Sequence, residues 1–358
     1  SSPSTFAIIS FLYFIITKEG MKKLTIAYLY NVRHSYPDPN DPKTQLETDF
    51  DDPETVEKIA YHLKKAGYSV IQIEANEDAY DLLRKNKSKI DIAFNCSEGL
   101  RGNDRESHIP AMLEMLDIPY TGSAPLAQAL VLDKAKTKEI LICNDVPTLP
   151  FQVFKTVDDV LKKSLSFPLI VKPIAQGSSA GITNRSVVFN EKEFRKQLKD
   201  VFNTFHRPIL VEPYIIGREF SVGMIGNPPR ILPIIEPDHT MLPEGYHPID
   251  SMEVKWIFEE ESDKEYLVCP AKVTKKLQQK IEEICLATWD ALDLHDVCRI
   301  DIRCDEKENP FVLEVNSPAG LLPPEISMTS YLPLAARKGG LEYDDLLHAI
   351  IDAARKRQ

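Results

Sequence analysis

Paired cysteines are lacking in this sequence. Its 358 residues include six cysteines, which lie far apart without a C-x-x-C pair or an adjacent histidine cluster. Such spacing is typical of reduced, mostly buried thiols in a cytoplasmic protein. The sequence therefore argues against a disulfide framework and a zinc site, and we predict a cytoplasmic location.

Long apolar runs are also lacking. Residues 6–16 form an apolar run of only 11 residues, whereas a membrane-spanning helix needs about 20. No basic residue precedes this run and no small-x-small cleavage site follows it, which argues against a signal peptide. Because Met21 leads directly into the first predicted strand, we expect residues 1–20 to be an extension outside the fold.

A surplus of positive charge is absent as well. The chain has 43 Lys and Arg residues against 54 Asp and Glu residues, a formal net charge of −11. This balance argues against a nucleic-acid partner and against binding to a membrane surface. A nucleotide would need local cationic groups. No G-x-G-x-x-G follows the first predicted strand, which excludes a conventional dinucleotide site.

What the chain does contain is a regular alternation of strands and helices near its start. The predicted strands cover residues 24–29, 68–73 and 90–94, and the predicted helices cover residues 53–66, 80–85 and 106–116. This alternation predicts a parallel sheet in an α/β domain. The length and the 43% apolar content allow two or three cores in all.

The rest of the chain predicts further elements. Helices are predicted at residues 126–143, 157–165, 191–205 and 273–292 and from residue 343 onward. Strands are predicted at residues 169–173, 187–189, 209–214 and 219–225 and around Lys255. Apolar residues recur at helical spacing within 273–292, which indicates a helix with a buried stripe.

Two adjacent runs, residues 298–304 and 311–316, alternate polar and β-branched residues. This period of two predicts a hairpin whose polar side chains share a face. If the strands pair, that face carries Arg299, Asp301, Glu314 and Asn316. Grouped carboxylate and amide oxygens suit Mg²⁺, which is often completed by substrate phosphates. The alternative is an amphipathic hairpin with a solvated charged face.

A second candidate site combines a lysine with a loop of small residues. Lys172 lies near the end of a predicted strand, and the loop at residues 175–182 follows it. Backbone N–H groups of such a loop can hold phosphates, here at Gly177, Ser178 and Ser179. Surface loops also need glycine, so this pattern alone does not decide the matter.

Two glutamates lie where one predicted strand ends and the next begins. Glu212 and Glu219 flank a turn at Gly217. Carboxylates at such a crossing can accept hydrogen bonds from an adenine amino group and from ribose hydroxyls. The alternative is that they are two ordinary glutamates at a sheet edge.

Eight motifs in the chain resemble those of the D-alanine–D-alanine ligase family of ATP-grasp enzymes, in the same order. They lie at residues 119–123, 132–136, 171–173 with 177–179, 211–220, 253–255, 269–271, 299–301 and 313–316. The resemblance implies an α/β, three-domain ATP-grasp fold. Its parts would be an N-terminal parallel-sheet substrate domain (21–122), a central subdomain (123–209) and a C-terminal subdomain with the metal and catalytic site (210–358).

The resemblance also implies roles for individual residues. The residues that match nucleotide contacts are Lys134 and Lys172 at the phosphates, Gly177, Ser178 and Ser179 in the loop, Glu212 and Glu219 at adenine and ribose, and Tyr214 and Ile215 at the hinge. Those that match ligands of two Mg²⁺ ions, for which Mn²⁺ can substitute, are Asp301, Glu314 and Asn316. Those that match catalytic groups are Lys255 near the γ-phosphate, and Arg299 with the backbone N–H of Gly320 at the oxyanion.

The implied reaction has two steps. A substrate carboxylate takes the γ-phosphoryl group of ATP, and an amine then attacks the acyl phosphate to form an amide. The family implies small amino-acid substrates, a role in peptidoglycan synthesis and a homodimer. The loops at residues 177–181 and 238–251 are candidate lids that exclude water.

Three departures from the family pattern affect the amino-acid pocket. Residues 30–36 lack the glutamate that binds the first substrate's ammonium group, and Glu98 is a candidate replacement, with a plain turn as the alternative. Trp256 stands where a tyrosine is usual. The segment after Gly320 is long, so either Ser327 or Ser330 fills the usual serine position. Two alternative functions follow: a related ligase with other substrates, and a non-catalytic nucleotide-binding regulatory protein.

Overall fold

The computed structural model describes residues 23–38, 41–258 and 266–357. The extension predicted for residues 1–20 lies outside the described residues. Within these ranges, no helix combines the length and the apolar character that crossing a membrane requires.

The N-terminal part forms the predicted parallel sheet. Its strands are β1 (Thr25–Tyr30), β2 (Ser69–Glu74) and β3 (Ile92–Asn95), in the order β2-β1-β3. The helices that belong to it are α1 (Pro53–Lys65), α2 (Ala79–Asn86) and α3 (His108–Met115). The central strand β1 has four consecutive buried residues because apolar side chains pack against both of its faces.

Two helices follow where the sequence predicts one. They are α4 (Pro125–Leu132) and α5 (Lys134–Cys143), and the chain is extended at Asp133 between them. The Asp133 carboxylate caps α5 by accepting from the N–H groups of Ala135 and Lys136, at 2.9 and 3.0 Å. The prediction of an unbroken helix was wrong because this aspartate begins a new helix rather than continuing the first.

A second sheet is antiparallel. Its strands are β4 (Gln152–Phe154), β5 (Leu169–Pro173), β6 (Val187–Val188) and β7 (Ile209–Pro213), in the order β4-β7-β5-β6, and α6 (Glu191–Phe205) covers it. The helix predicted at residues 157–165 is absent. There the Gln152 side chain donates to Val160 O and accepts from the Lys162 N–H, which replaces helical hydrogen bonds.

A third sheet, also antiparallel, carries the predicted polar hairpin. Its strands are β8 (Glu219–Ile225), β9 (Arg230–Ile231), β12 (Val297–Cys304) and β13 (Pro310–Asn316), in the order β13-β12-β8-β9. A separate ribbon pairs β10 (Glu236–Pro237) with β11 (Leu267–Val268). The helices of this part are α7 (Lys275–Ala291), α8 (Tyr331–Lys338) and α9 (Tyr343–Arg357).

The strand predicted around Lys255 is wrong. Residues Val254–Phe258 form a single turn of π-helix, and the Lys255 N–H donates to Ser251 O at 3.0 Å, a bond local to the turn. Elsewhere the α/β class and the parallel N-terminal sheet are confirmed. The domain boundaries near residues 122 and 209 stay predictions.

We predict that the buried stripe of α7 carries much of the stability of the C-terminal sheet. Ile281 is fully buried in the core that α7 shares with β8, β12 and β13, whereas Leu286 on the same helix is 41% exposed. Ile281→Ala should lower the free energy of unfolding by about 2–5 kcal/mol, because it leaves a cavity. Leu286→Ala, the matched control, should cost less than about 1 kcal/mol. Equal losses in denaturant unfolding followed by circular dichroism would contradict this assignment of the core.

Candidate functional site

The polar hairpin forms as predicted, with one shift of register between Asp301 and Ile302. Arg299 lies opposite Asn316, and Asp301 lies opposite Glu314. The Asp301 carboxylate accepts from Arg299 Nε at 3.1 Å and from Asn316 Nδ2 at 3.0 Å, and also from Ser221 on β8. The side chains of Arg299 and Asp301 are each 14% exposed. The solvated-face alternative is therefore wrong, since the charged groups bond to one another in a largely buried position.

Three lysines surround Glu314 on this face. Lys134 Nζ lies 3.2 Å from its carboxylate and also donates to Gln176 O at 2.6 Å. Burial would raise the pKa of Glu314, but Lys134, Lys172 and Lys255 lower that pKa to about 2. The site therefore concentrates cations within a chain of net charge −11, as an anionic ligand requires.

Glu212 lies between two lysines in the interior. Its side chain is 1% exposed, with Lys172 Nζ at 2.6 Å and Lys138 Nζ at 2.9 Å. Burial alone would raise the pKa of Glu212, but the two lysines lower it. Lys138, which the sequence reasoning missed, also donates to Thr148 Oγ1 at 2.8 Å. Its position four residues after Lys134 on α5 was the available signal, because such residues share a helix face.

The sequence reasoning also missed Arg303, which contacts three of the residues predicted to bind the nucleotide. Its guanidinium contacts Glu219 at 2.6 Å, donates to Ile215 O at 3.0 Å and lies 5.7 Å from the Tyr214 ring centroid. Burial raises the pKa of Glu219, and nearby Asp250 raises it further. Arg303 continues the alternation of Arg299 and Asp301 along β12, so the period of two pointed to it.

Two cavities meet at this cluster. The smaller, of about 80 Å³, is lined among others by Lys172, Ser179, Glu212, Tyr214, Ile215, Glu219, Asp301 and Arg303. The larger, of about 630 Å³, is lined among others by Lys134, Gly177, Ser178, Arg299, Asn316 and Gly320. Lys255 and Glu314 line both cavities. The structure thus brings all the predicted site residues to two adjoining spaces with a shared wall.

The small-residue loop contacts the N-terminal part of the chain. Ser178 and Ser179 adopt left-handed φ values of 47° and 61°. The Gly177 N–H donates to the Asp49 carboxylate at 3.3 Å, and Arg105 holds the same carboxylate at 3.0 Å. In this structure the N–H group predicted to face a phosphate therefore faces a carboxylate.

Acidic side chains from the N-terminal part line the larger cavity. They come from residues 49–52 and from Glu98 and Glu106. Burial raises the pKa of Asp51 to about 7 and that of Glu106 to about 8. Burial also raises the pKa of Glu98. Residues 30–36 lack an acid, but these segments supply several carboxyl groups to the same cavity.

Trp256 connects two walls of the larger cavity. Its ring lies 5.0 Å from the Arg33 guanidinium carbon, which also lies 5.4 Å from the Tyr36 ring. The indole N–H donates to Ser178 O at 3.4 Å. Trp256 lacks the hydroxyl of the tyrosine that is usual in the family, but it bonds to the small-residue loop through its indole N–H. Ser327 and Ser330 both line the cavity, so either serine remains a candidate.

The predicted metal ligands were tested by their chemistry. Among the residues that the structure describes, no group of three or more His, Cys, Asp and Glu side chains is arranged to hold a metal ion. The predicted set offers two carboxylates and one amide, with Asp301 and Glu314 opposite each other. Mg²⁺ usually takes one or two protein carboxylates and completes its shell with phosphates and water. The donor set fits that ion.

Comparison with known proteins agrees with the residue pattern. Residues 141–352 match the family described as D-ala D-ala ligase C-terminus. A D-alanine–D-alanine ligase of Pelotomaculum thermopropionicum is 32% identical over 313 residues, covering 84% of this chain and 91% of that protein. An uncharacterised protein of Sinorhizobium fredii is 35% identical over 271 residues, covering 74% and 75%.

A solved structure has the same fold. The D-alanine–D-alanine ligase of Bacillus anthracis complexed with ATP superposes with a TM-score of 0.70 at 23% identity, covering 93% of this chain and 98% of that one. The predicted fold class is thereby confirmed. Together with the family match over residues 141–352, these relatives show that the chain belongs to the D-alanine–D-alanine ligase family of ATP-grasp enzymes.

Proposed function

We propose that this protein is an ATP-dependent ligase that joins an amino-acid carboxylate to an amine through an acyl phosphate, with D-alanyl-D-alanine as its product. The observation that carries the proposal is the shared wall: Lys255 and Glu314 line both cavities. A phosphoryl group that moves from nucleotide to substrate must cross such a boundary. A peptidoglycan role, a cytoplasmic location and a homodimer are part of the proposal.

The smaller cavity is the proposed place of the nucleotide base and ribose. Glu212 would accept from the adenine amino group and Glu219 from ribose hydroxyls, with Tyr214 and Ile215 at the hinge. The ligase of Bacillus anthracis, which shares the fold, has been crystallised with ATP. In the present structure the Ile215 carbonyl accepts from Arg303 Nε at 3.0 Å, which holds the hinge next to Glu219.

Lysines would hold the phosphates between the cavities. Lys134 and Lys172 lie beside Glu314 and Glu212, and both would turn toward the polyphosphate, whose charge matches theirs. The Gly177–Ser179 backbone would add N–H donors once the Asp49 contact at Gly177 opens. Positioning and electrostatics of this kind supply most of the catalysis of phosphoryl transfer.

The metal residues are proposed to be Asp301, Glu314 and Asn316. Bound Mg²⁺ would neutralise charge on the transferring phosphoryl group. The protein's own part is to hold these oxygens in register and to keep the Glu314 carboxylate ionised. Lysines lower the pKa of Glu314 to about 2, so its carboxylate stays charged throughout the physiological range.

The first step needs a carboxylate held in line with the γ-phosphate. Its oxygen attacks phosphorus, the bond from phosphorus to the ADP oxygen breaks, and an acyl phosphate forms. Lys255, which lines both cavities, would stay with the phosphoryl group through this transfer.

The second step forms the amide. An amine nitrogen attacks the acyl carbon, and the carbonyl oxygen becomes negatively charged. Arg299 and the Gly320 N–H line the cavity where this happens, and an oxyanion donor is typically worth about 3–4 kcal/mol. Phosphate then leaves with the C–O bond electrons, and the nitrogen loses a proton.

The acidic wall of the larger cavity suits a substrate ammonium group. Glu98, Glu106 and Asp51 line this cavity together. Burial raises the pKa of Glu98 and of Glu106, so an added cation would stabilise their charged forms. We therefore assign the role of the missing family glutamate to this wall.

A related ligase with different substrates is the second candidate. It is favoured by Trp256, which changes the amino-acid cavity and leaves the nucleotide residues intact. A non-catalytic nucleotide-binding protein is the third candidate, but it would need neither Arg299 nor paired metal ligands.

We predict that the purified protein with MgATP and D-alanine releases phosphate and forms D-alanyl-D-alanine. Assays should measure phosphate and product mass for single D- and L-amino acids and for pairs. Propionate is the matched control for alanine, because it keeps the carboxylate and lacks the ammonium group. Product from another pair would keep the reaction and change the substrate, whereas no phosphate with any pair would contradict the ligase assignment.

Replacing Arg299 separates a ligase from a binder. Arg299→Ala should lower kcat by about 10²–10³-fold, because the oxyanion loses a charged donor. ATP affinity, measured by calorimetry, should change little. Arg230→Ala is the matched control, since Arg230 lies exposed on β9 of the same sheet and its side chain donates to Gly339 O at 3.1 Å, away from both cavities. Unchanged turnover in Arg299→Ala would rule out its proposed role.

A further inference from the structure

Tyr331 lies where the catalytic cations and the two lid loops meet. It is the first residue of α8 and lines the larger cavity. Its ring centroid lies 5.3 Å from the Arg299 guanidinium carbon and 5.8 Å from Lys255 Nζ. Ring faces attract cations at such distances. One aromatic ring therefore contacts both the group proposed for the oxyanion and the group proposed for the γ-phosphate.

The hydroxyl of Tyr331 points to a different partner. It donates to Asp250 Oδ2 at 2.6 Å, a short bond to a charged acceptor. Asp250 lines the smaller cavity, so this bond joins the walls of the two cavities. Burial would raise the pKa of Asp250, but His239, Lys255 and Tyr331 lower it, so it accepts as a carboxylate.

Asp250 also joins the two loops. Its backbone oxygen accepts from Ser179 Oγ at 2.6 Å, which connects the loop at residues 238–251 to the small-residue loop. Its side chain has a second hydroxyl neighbour, Tyr266, at 3.3 Å. The contacts thus run from Arg299 and Lys255 through Tyr331 to Asp250 and on to Ser179.

We propose that Tyr331 is a positioning residue that holds the loops closed over Arg299 and Lys255 while the acyl phosphate exists. The proposal rests on the ligase function proposed above. Its hydroxyl fixes Asp250 and the loops, and its ring fixes the two cations. The consequence is protection of the intermediate from water.

The side reaction that Tyr331 suppresses is hydrolysis of the acyl phosphate. Water attacks the acyl carbon, the C–O bond to the phosphate breaks, and free carboxylate and phosphate leave, with one proton released. Combined with the first step, ATP and water yield ADP and phosphate and no amide. The ratio of phosphate released to amide formed therefore measures how well the site is closed.

The test compares Tyr331→Phe with wild type, using D-alanine or the pair that the substrate panel identifies. We expect amide formation to fall about 10-fold, the size expected for a lost bond to a charged group. The phosphate-to-amide ratio should rise above one. Asp250→Asn should change both quantities in the same direction, because a neutral amide accepts from the Tyr331 hydroxyl more weakly than a carboxylate does. The double variant should be no worse than Tyr331→Phe, which already lacks this bond.

A matched control is available at Tyr120. Its hydroxyl donates to Glu114 at 2.8 Å, and Arg357 lies 5.6 Å from its ring, so Tyr120→Phe removes a similar bond away from both cavities. This variant should keep a phosphate-to-amide ratio of one.

Tyr331→Leu, which also removes the ring, should raise the KM for ATP beyond that of Tyr331→Phe.

Two results would overturn the proposal, and they are distinguishable. A ratio of one in both Tyr331→Phe and Asp250→Asn, or additive losses in the double variant, would exclude the positioning role while wild type still makes amide. Absence of amide from wild type with every pair would overturn the ligase function and this proposal together. Near-ultraviolet circular dichroism identifies a misfolded variant. If Tyr331→Phe or Asp250→Asn misfolds, the phosphate-to-amide ratio of the other single variant decides the test.

Discussion

The antiparallel pairing of β12 with β13 is the constraint on which the site depends. Each strand has an apolar face, with Ile300, Ile302, Val312 and Val315 buried. A slip of one residue would turn that face outward and the charged face inward, at the cost of the whole core contact. Burial of the apolar face therefore fixes the polar face, in which Asp301 lies opposite Glu314. The register that stabilises the sheet also brings the proposed metal ligands together.

Buried charges make this site suitable for an anionic ligand. Moving Lys138, Lys172 and Glu212 into the interior costs free energy, which their mutual contacts only partly offset. Two lysines contact the Glu212 carboxylate in the interior, and three lysines lower the pKa of Glu314. A polyphosphate would compensate the excess cations, although the chain as a whole is acidic. Local charge, rather than net charge, decides which ligand the site accepts.

Elements and faces that follow a periodic pattern could be predicted from the sequence, whereas contacts between distant segments could not. Alternation with a period of two was enough to predict that Arg299 and Asn316 share a face, and strand–helix alternation was enough to predict the parallel sheet. Asp49 contacts Gly177 across 128 residues of sequence, and Tyr331, at the start of α8, contacts Asp250 across 81. Secondary-structure propensities do not predict such contacts, because tertiary packing creates them. The same reason applies to Lys255, whose π-helical turn was predicted as a strand.

The central claim is that ATP activates a substrate carboxylate by phosphorylating it. It is tested most directly with D-alanine that carries ¹⁸O in its carboxylate, or with the labelled carboxylate substrate that the panel identifies. If the acyl phosphate forms, one labelled oxygen passes to phosphate for each amide made, and mass spectrometry of the released phosphate detects it. Amide formation with unlabelled phosphate would contradict the account, because the carboxylate oxygen would never have been bonded to phosphorus.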